Sequence, residues 1–132
     1  RTFANDLLDR LDFPVETAHL GASSYHGGTQ SSGHVELKET QALRQKIVGR
    51  QVLLIDDIYD TGLTLAKVTE WVRQGNPANV RTCVLLEKDI PHQRPVPIDF
   101  LGLKIEDAFV IGYGLDYEGR CRRLPYIAVP AT

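Results

Sequence analysis

The 132-residue chain has no methionine, one tryptophan and two cysteines. Cys83 and Cys121 stand 38 positions apart, outside any C-x-x-C spacing. That spacing excludes a zinc ribbon or a thioredoxin-like redox pair, and two free thiols suit a reducing compartment, the cytoplasm. His19, His26, His34 and His92 show no metal-ligand spacing and read as loop or surface residues. No run of about 18 apolar residues is present, so no membrane-spanning helix is expected. No charged, then apolar, then small-residue leader is visible. Charge of one sign is lacking too. Fifteen Lys and Arg against seventeen Asp and Glu leave a net charge of −2. A nucleic-acid binder is normally basic and a disordered acidic tail strongly acidic, so neither class fits. The G-K-[ST] of a phosphate-binding Walker loop is missing, and so is G-x-G-x-x-G.

What is present suits one compact domain over residues 1–132. Roughly two thirds of the unfolded surface can be buried at this size without disulfides or metals. Thr2–Leu11 predicts a helix, with Phe3, Leu7, Leu8 and Leu11 on one face. Val15–Leu20 predicts a short strand. Gly21–His34 follows, with four Gly and four Ser in 14 residues, and reads as a long polar, flexible loop, either a functional lid or a plain linker. Val35–Leu37 resumes a strand, and Leu43–Gly49 is either a turn or a short helix. Gln51–Asp57 contains the unbroken apolar run Val52–Ile55, the pattern of a strand buried on both faces. Leu63–Gln74 predicts an amphipathic helix with Leu65, Val68 and Val72 inward. Val80–Leu86 predicts a second buried strand, and short strands follow near Phe100–Leu103, Phe109–Gly112 and Ile127–Val129. Strand, helix, strand is a right-handed βαβ unit, so the class is α/β, doubly wound, with a mostly parallel sheet flanked by helices.

The chemistry concentrates in Val52–Thr64, V-L-L-I-D-D-I-Y-D-T-G-L-T. A buried strand delivers Asp56 and Asp57 at its carboxyl end, where open α/β sheets bind ligands. The turn Asp60-Thr61-Gly62-Leu63-Thr64 then opens a helix. Helix N-terminal amides and two threonine hydroxyls suit a phosphate. The acids suit ribose hydroxyls or a hydrated Mg²⁺. Asp60 or Thr61 could instead simply cap the helix, with Asp56 and Asp57 as solvated strand-end charges. An acidic pair, a third Asp and a T-G-x-T turn in one register speak for a site.

This stretch resembles the phosphoribosyl-pyrophosphate motif of the type I phosphoribosyltransferases: four apolar residues, two acids, two variable positions, then D-T-G-x-T. Further matches point to the hypoxanthine-guanine branch. Leu85-Leu86-Glu87-Lys88 resembles the strand end that carries a base-reading lysine. Asp99–Ile105, Asp107 and Phe109–Tyr117 are similar to the base-binding hood. Ser24-Tyr25 resembles the mobile catalytic loop.

The resemblance implies transfer of a phosphoribosyl group from phosphoribosyl pyrophosphate to hypoxanthine or guanine, with xanthine a further candidate and Mg²⁺ as cofactor. The products are IMP or GMP and pyrophosphate. It implies that Asp60, Thr61, Gly62, Leu63 and Thr64 hold the 5-phosphate, with Asp60 also the general base near N7. Asp56 and Asp57 would meet the ribose hydroxyls, directly or through Mg²⁺, and Asp116 would be a further Mg²⁺ ligand beside the base. Lys88 would donate to the 6-oxo group, Ile58 flank the base, Phe109 stack on it and Val110 read its edge. Arg122 would contact pyrophosphate. A homo-oligomer, dimer or tetramer, is implied as well. Asp56 stands where many members carry Glu, and Leu63 replaces a polar or Lys residue. Arg1 already falls at the start of the first helix, so the family's short pyrophosphate loop would lie upstream, and the chain alone is expected to turn over weakly or not at all. Two other readings stay open: a nucleotide-sensing regulatory module of the same fold, and a type I enzyme for another base.

Overall fold

The computed structural model describes residues 2–24, 35–38, 41–107, 113 and 127. The elements in chain order are α1 (Phe3–Asp9), β1 (Gly21–Ser24), β2 (Val35–Lys38), α2 (Gln41–Ile47), β3 (Gln51–Tyr59), α3 (Leu63–Gln74), β4 (Asn79–Lys88) and β5 (Phe100–Ile105).

The predicted βαβ unit forms β3, α3 and β4. Both strands run two residues further toward their carboxyl ends than the apolar runs suggested. β3 and β4 are parallel, with Val52 opposite Val80 and Asp56 opposite Val84. β5 adds in parallel on the other side of β4, with Val84 opposite Leu101 and Leu86 opposite Leu103. The order β3-β4-β5 puts β4 in the centre. Its Thr82, Val84 and Leu86 are therefore buried, the last two to 0% and 1% exposure. β3 departs from the expectation of burial on both faces. It borders the described sheet, and Leu53 is 40% exposed.

α3 begins and ends where the periodicity placed it. Leu65, Ala66, Thr69 and Val72 form its buried stripe, while Val68 is half-buried. The Thr69 hydroxyl lies within the stripe and donates to the Leu65 carbonyl at 2.7 Å, which satisfies it inside the helix. Tyr59, Leu65 and Val84 make the core cluster under the site, with Val96 and Ile98 packed against it.

Before the βαβ unit, the sequence reading needs correction. Val15–Leu20 is not a strand. Residues 12–19 are exposed, and Glu16 reaches Lys46 at 3.1 Å and Arg50 at 2.5 Å. The strand lies later, at β1, inside the Gly/Ser stretch, and pairs antiparallel with β2, Ser24 opposite Val35. Ser24 thus ends a strand rather than lying in a loop, because ladder pairing overrides the weak strand propensity of Gly and Ser. The ambiguous segment is the helix α2. The expected strands at Phe109–Gly112 and Ile127–Val129 lie outside the described residues, Ile127 apart.

Candidate active site

The carboxyl ends of β3 and β4 and the start of α3 meet in one place. Asp56 and Asp57 lie near the end of β3, and Asp60–Gly62 form the turn into α3. The turn depends on Gly62. Its φ is +88°, and a Cβ there would lie 2.0 Å from the Arg94 carbonyl oxygen and 3.1 Å from Tyr59. Only glycine permits both the left-handed backbone and that approach. Gly62 is also the N-cap, with no side-chain cap. Neither Asp60 nor Thr61 occupies the N-cap position, although the Thr61 side chain reaches the first amide of α3. The Thr61 hydroxyl accepts from the Leu63 amide at 3.3 Å. Amides in the first helical turn lack carbonyl partners within the helix and suit an anion.

The Pro-rich segment 89–99 straps the turn down. The Arg94 amide donates to the Thr61 carbonyl at 2.9 Å, and the Val96 amide to the Tyr59 hydroxyl at 2.9 Å. The Arg94 guanidinium donates to Glu70 of α3 at 2.6 Å. Asp99 clasps Thr82 through both its amide (3.0 Å) and its carboxylate (2.7 Å).

Lys88 ends β4 with only 13% of its side chain exposed. Its ammonium lies 3.4 Å from Asp60 Oδ2 and 3.6 Å from Asp107 Oδ1. A largely buried cation is thus held between two carboxylates, the pairing that burial of a charge requires. Ile58 is half-buried near the carboxyl end of the neighbouring strand β3.

Burial pushes the Asp56 carboxyl up to about 6, with the neighbouring Asp57 charge adding to the rise. The Asp57 amide opposes it by donating to Asp56 Oδ1 at 2.8 Å. Burial also raises Asp57. Two adjacent, half-buried carboxylates offer hard oxygen donors of the kind Mg²⁺ takes, one or two from protein with the rest from water and substrate. Among the described residues no group of three or more His, Cys, Asp or Glu is placed to hold a metal.

The structure brings together Asp56, Asp57, Ile58, Asp60, Thr61, Gly62, Leu63, Thr64 and Lys88. Tyr25, Phe109, Val110, Asp116 and Arg122 lie outside the described residues, as do the side chain of Ser24 and Cys121. Sequence reasoning missed His92, which is no surface residue: its side chain is 14% exposed and lies against Asp60 and Glu87. It also missed Tyr59 as the buried floor beneath the turn, 3% exposed. Nothing local marked either residue. Cys83 is half-buried and free, and burial raises its thiol above the ordinary range, consistent with a packing role.

The phosphoribosyl transferase domain family matches residues 1–118. The chain belongs to that family. This phosphoribosyltransferase is 39% identical over 128 residues to the hypoxanthine-guanine-xanthine phosphoribosyltransferase of Tritrichomonas foetus, covering 96% of the chain and 68% of the relative. It is 40% identical over 127 residues to the hypoxanthine-guanine phosphoribosyltransferase of Bacillus subtilis, covering 96% and 69%. Among solved structures, a hypoxanthine phosphoribosyltransferase from Staphylococcus aureus superposes with a TM-score of 0.86 at 37% identity, over 96% of this chain and 68% of that one. A hypoxanthine-guanine phosphoribosyltransferase from Bacillus anthracis gives 0.87 at 32% identity, over 98% and 75%. These likenesses establish the type I phosphoribosyltransferase fold. In the described residues of this phosphoribosyltransferase, no helix is long and apolar enough to cross a membrane.

Proposed function

We propose that the chain is a purine-salvage phosphoribosyltransferase acting on hypoxanthine and guanine, with xanthine a further candidate. It acts as one domain over residues 1–132. The reaction forms a bond from a purine ring nitrogen to C1 of phosphoribosyl pyrophosphate, breaks the bond from C1 to the pyrophosphate oxygen, and releases the imidazole-ring proton of the base, which Asp60 receives. The products are IMP or GMP and pyrophosphate. The observation that carries the reading is Lys88 beside Asp60 at the carboxyl end of the sheet, over the D-T-G-L-T turn. A cation there donates to a 6-oxo group and disfavours the 6-amino group of adenine, itself a donor. The names of the relatives support the same substrate class.

The roles carry over from the family resemblance, residue by residue. Thr61 to Thr64 and the Asp60 backbone receive the 5-phosphate at the start of α3. The Asp60 carboxylate accepts the hydrogen bond, and then the proton, from the base as positive charge develops on it. Asp56 and Asp57 bind the ribose hydroxyls and would hold Mg²⁺, with Asp116 as the further ligand. A Mg²⁺ held by these carboxylates would supply positive charge to balance that of the pyrophosphate. Ile58, Phe109 and Val110 frame the base, Arg122 meets pyrophosphate, and Ser24 and Tyr25 belong to the segment that covers the reacting centre. Much of the rate enhancement in such a site is positioning and electrostatics. The reading includes a cytoplasmic homo-oligomer, which sedimentation tests.

Calorimetric titration with IMP, GMP, XMP, AMP and UMP in the presence of Mg²⁺ tests the reading without requiring turnover. Binding of IMP and GMP, with AMP and UMP at least tenfold weaker, is the expected result. Preferred binding of UMP or AMP moves the chain to another base. Nucleotide binding with no turnover in the protein at its natural length leaves a sensing module instead.

A further inference from the structure

His92 stacks flat on Tyr59, the ring centroids 3.8 Å apart and the planes 16° from parallel. Its Nδ1 hydrogen-bonds the main-chain carbonyl of Asp60, and its Nε2 lies 3.1 Å from Glu87 Oε2. A carbonyl oxygen only accepts, so Nδ1 carries a proton. The Nε2 contact needs a second proton, on the ring or on the Glu87 carboxyl. Both in-plane positions of the ring are therefore engaged, and one face is covered. Tyr59 is itself fixed, 3% exposed with its hydroxyl bonded to the Val96 amide. The ring spans from β4, through Glu87, to the peptide of the residue whose side chain meets Lys88.

We propose that His92 is a positioning residue for the Asp60 turn, a point that rests on the phosphoribosyl reading of that turn. Its Nδ1–H holds the Asp60 carbonyl, and so fixes the peptide plane from which the Asp60 carboxylate and the phosphate-binding amides project. Glu87 and Tyr59 hold the ring against rotation. His92 does not touch substrate. Its effect falls on how well the turn is organised before substrate arrives, the condition for electrostatic catalysis.

The test combines ¹⁵N spectroscopy of the His92 ring with the variants His92→Asn and His92→Ala. Asn places an amide donor near the position of Nδ1, and Ala removes it. The expected results are a protonated Nδ1 in the wild-type chain, GMP affinity in His92→Asn within about twofold of wild type, and a loss of about tenfold in His92→Ala, on the scale of one organising hydrogen bond. Where turnover is measured, kcat falls in His92→Ala with KM for the base little changed. Nδ1 without a proton overturns the proposal even if His92→Ala fails to fold. So does His92→Ala binding GMP as wild type does. A wild-type chain that binds neither GMP nor IMP, its ring signature intact, overturns the phosphoribosyl reading and the role of His92 in it; a wild-type chain that binds both, with His92→Ala unchanged, overturns the role of His92 alone.

Discussion

The Lys88 ammonium lies 3.4 Å from the Asp60 carboxylate. The cation proposed to read the base oxygen and the carboxylate proposed to take the base proton are thus in direct contact, side by side, as the adjacent oxygen and N–H on one edge of a 6-oxopurine require. Asp107, 3.6 Å from the same ammonium, is the second anchor. An incoming 6-oxopurine would offer its oxygen to Lys88 and its N–H to Asp60, replacing one charge-assisted contact by two hydrogen bonds. Adenine would set its amino donor against the ammonium.

Lys88→Gln should therefore lower kcat/KM for hypoxanthine and guanine by about 10- to 100-fold, the range of one hydrogen bond to a charged group. Adenine loses less, because its unfavourable contact is removed as well. The ratio of kcat/KM for hypoxanthine to that for adenine is the measurement. A ratio equal to wild type removes Lys88 from base reading.

Asp60→Asn keeps the shape of the turn and loses the base. It should lower kcat by about 10²- to 10⁴-fold, the usual range for general-base assistance, while GMP affinity changes by only a few-fold. Pre-steady-state formation of IMP separates the two quantities. Full-rate chemistry in Asp60→Asn would assign the proton to water.

Gly62→Ala should unfold more readily than Gly49→Ala, although both glycines have positive φ. At Gly49 (φ +70°) a Cβ meets nothing within 4 Å. The change there costs about 1–2 kcal/mol for the left-handed backbone alone. At Gly62 the same strain combines with a Cβ 2.0 Å from the Arg94 carbonyl, and backbone must move. Urea denaturation of both variants should show a total loss of about 3 kcal/mol or more at Gly62, with phosphate affinity lost alongside. Equal losses would mean that segment 89–99 yields freely.

The β3–α3–β4 unit was legible because its signals are local: an unbroken apolar run, a 3.6-residue stripe and a D-T-G-L-T turn. Lys88 was found by resemblance, and its carboxylate partners follow from the fold. Other features were invisible because they join residues far apart in sequence. Pro91–Pro97 reads as a Pro-rich loop, yet segment 89–99 around it returns to Thr61, Tyr59 and Thr82. His92 belongs to the site because that return carries it 32 positions back to Asp60. β1 was misplaced for a related reason. Gly21–Ser24 has little strand propensity, and only its pairing with Val35–Lys38 makes it a strand.

Asp56 gives the last prediction, a stability that runs opposite to function. Its folded-state pKa is raised to about 6 by burial, against an ordinary aspartate value of about 3.9. Between these values the folded chain binds more protons than the unfolded one, so stability falls as pH rises from about 4 to about 6. A shift near two units corresponds to at most about 3 kcal/mol. Asp56→Asn removes this loss and keeps an oxygen to accept the Asp57 amide. The variant should gain about 1–3 kcal/mol over wild type on going from pH 4 to pH 7, read from urea melts at the two pH values. Asp57, whose carboxyl is raised in the same direction, contributes to the residual slope in the variant. The same variant should bind GMP with Mg²⁺ more weakly, because the charge that burdens the fold at neutral pH is the one offered to the ribose and the cation. A stability gain that is the same at pH 4 and pH 7 would show that the carboxyl ionises without penalty, and that the strand end is more open to water than its burial implies.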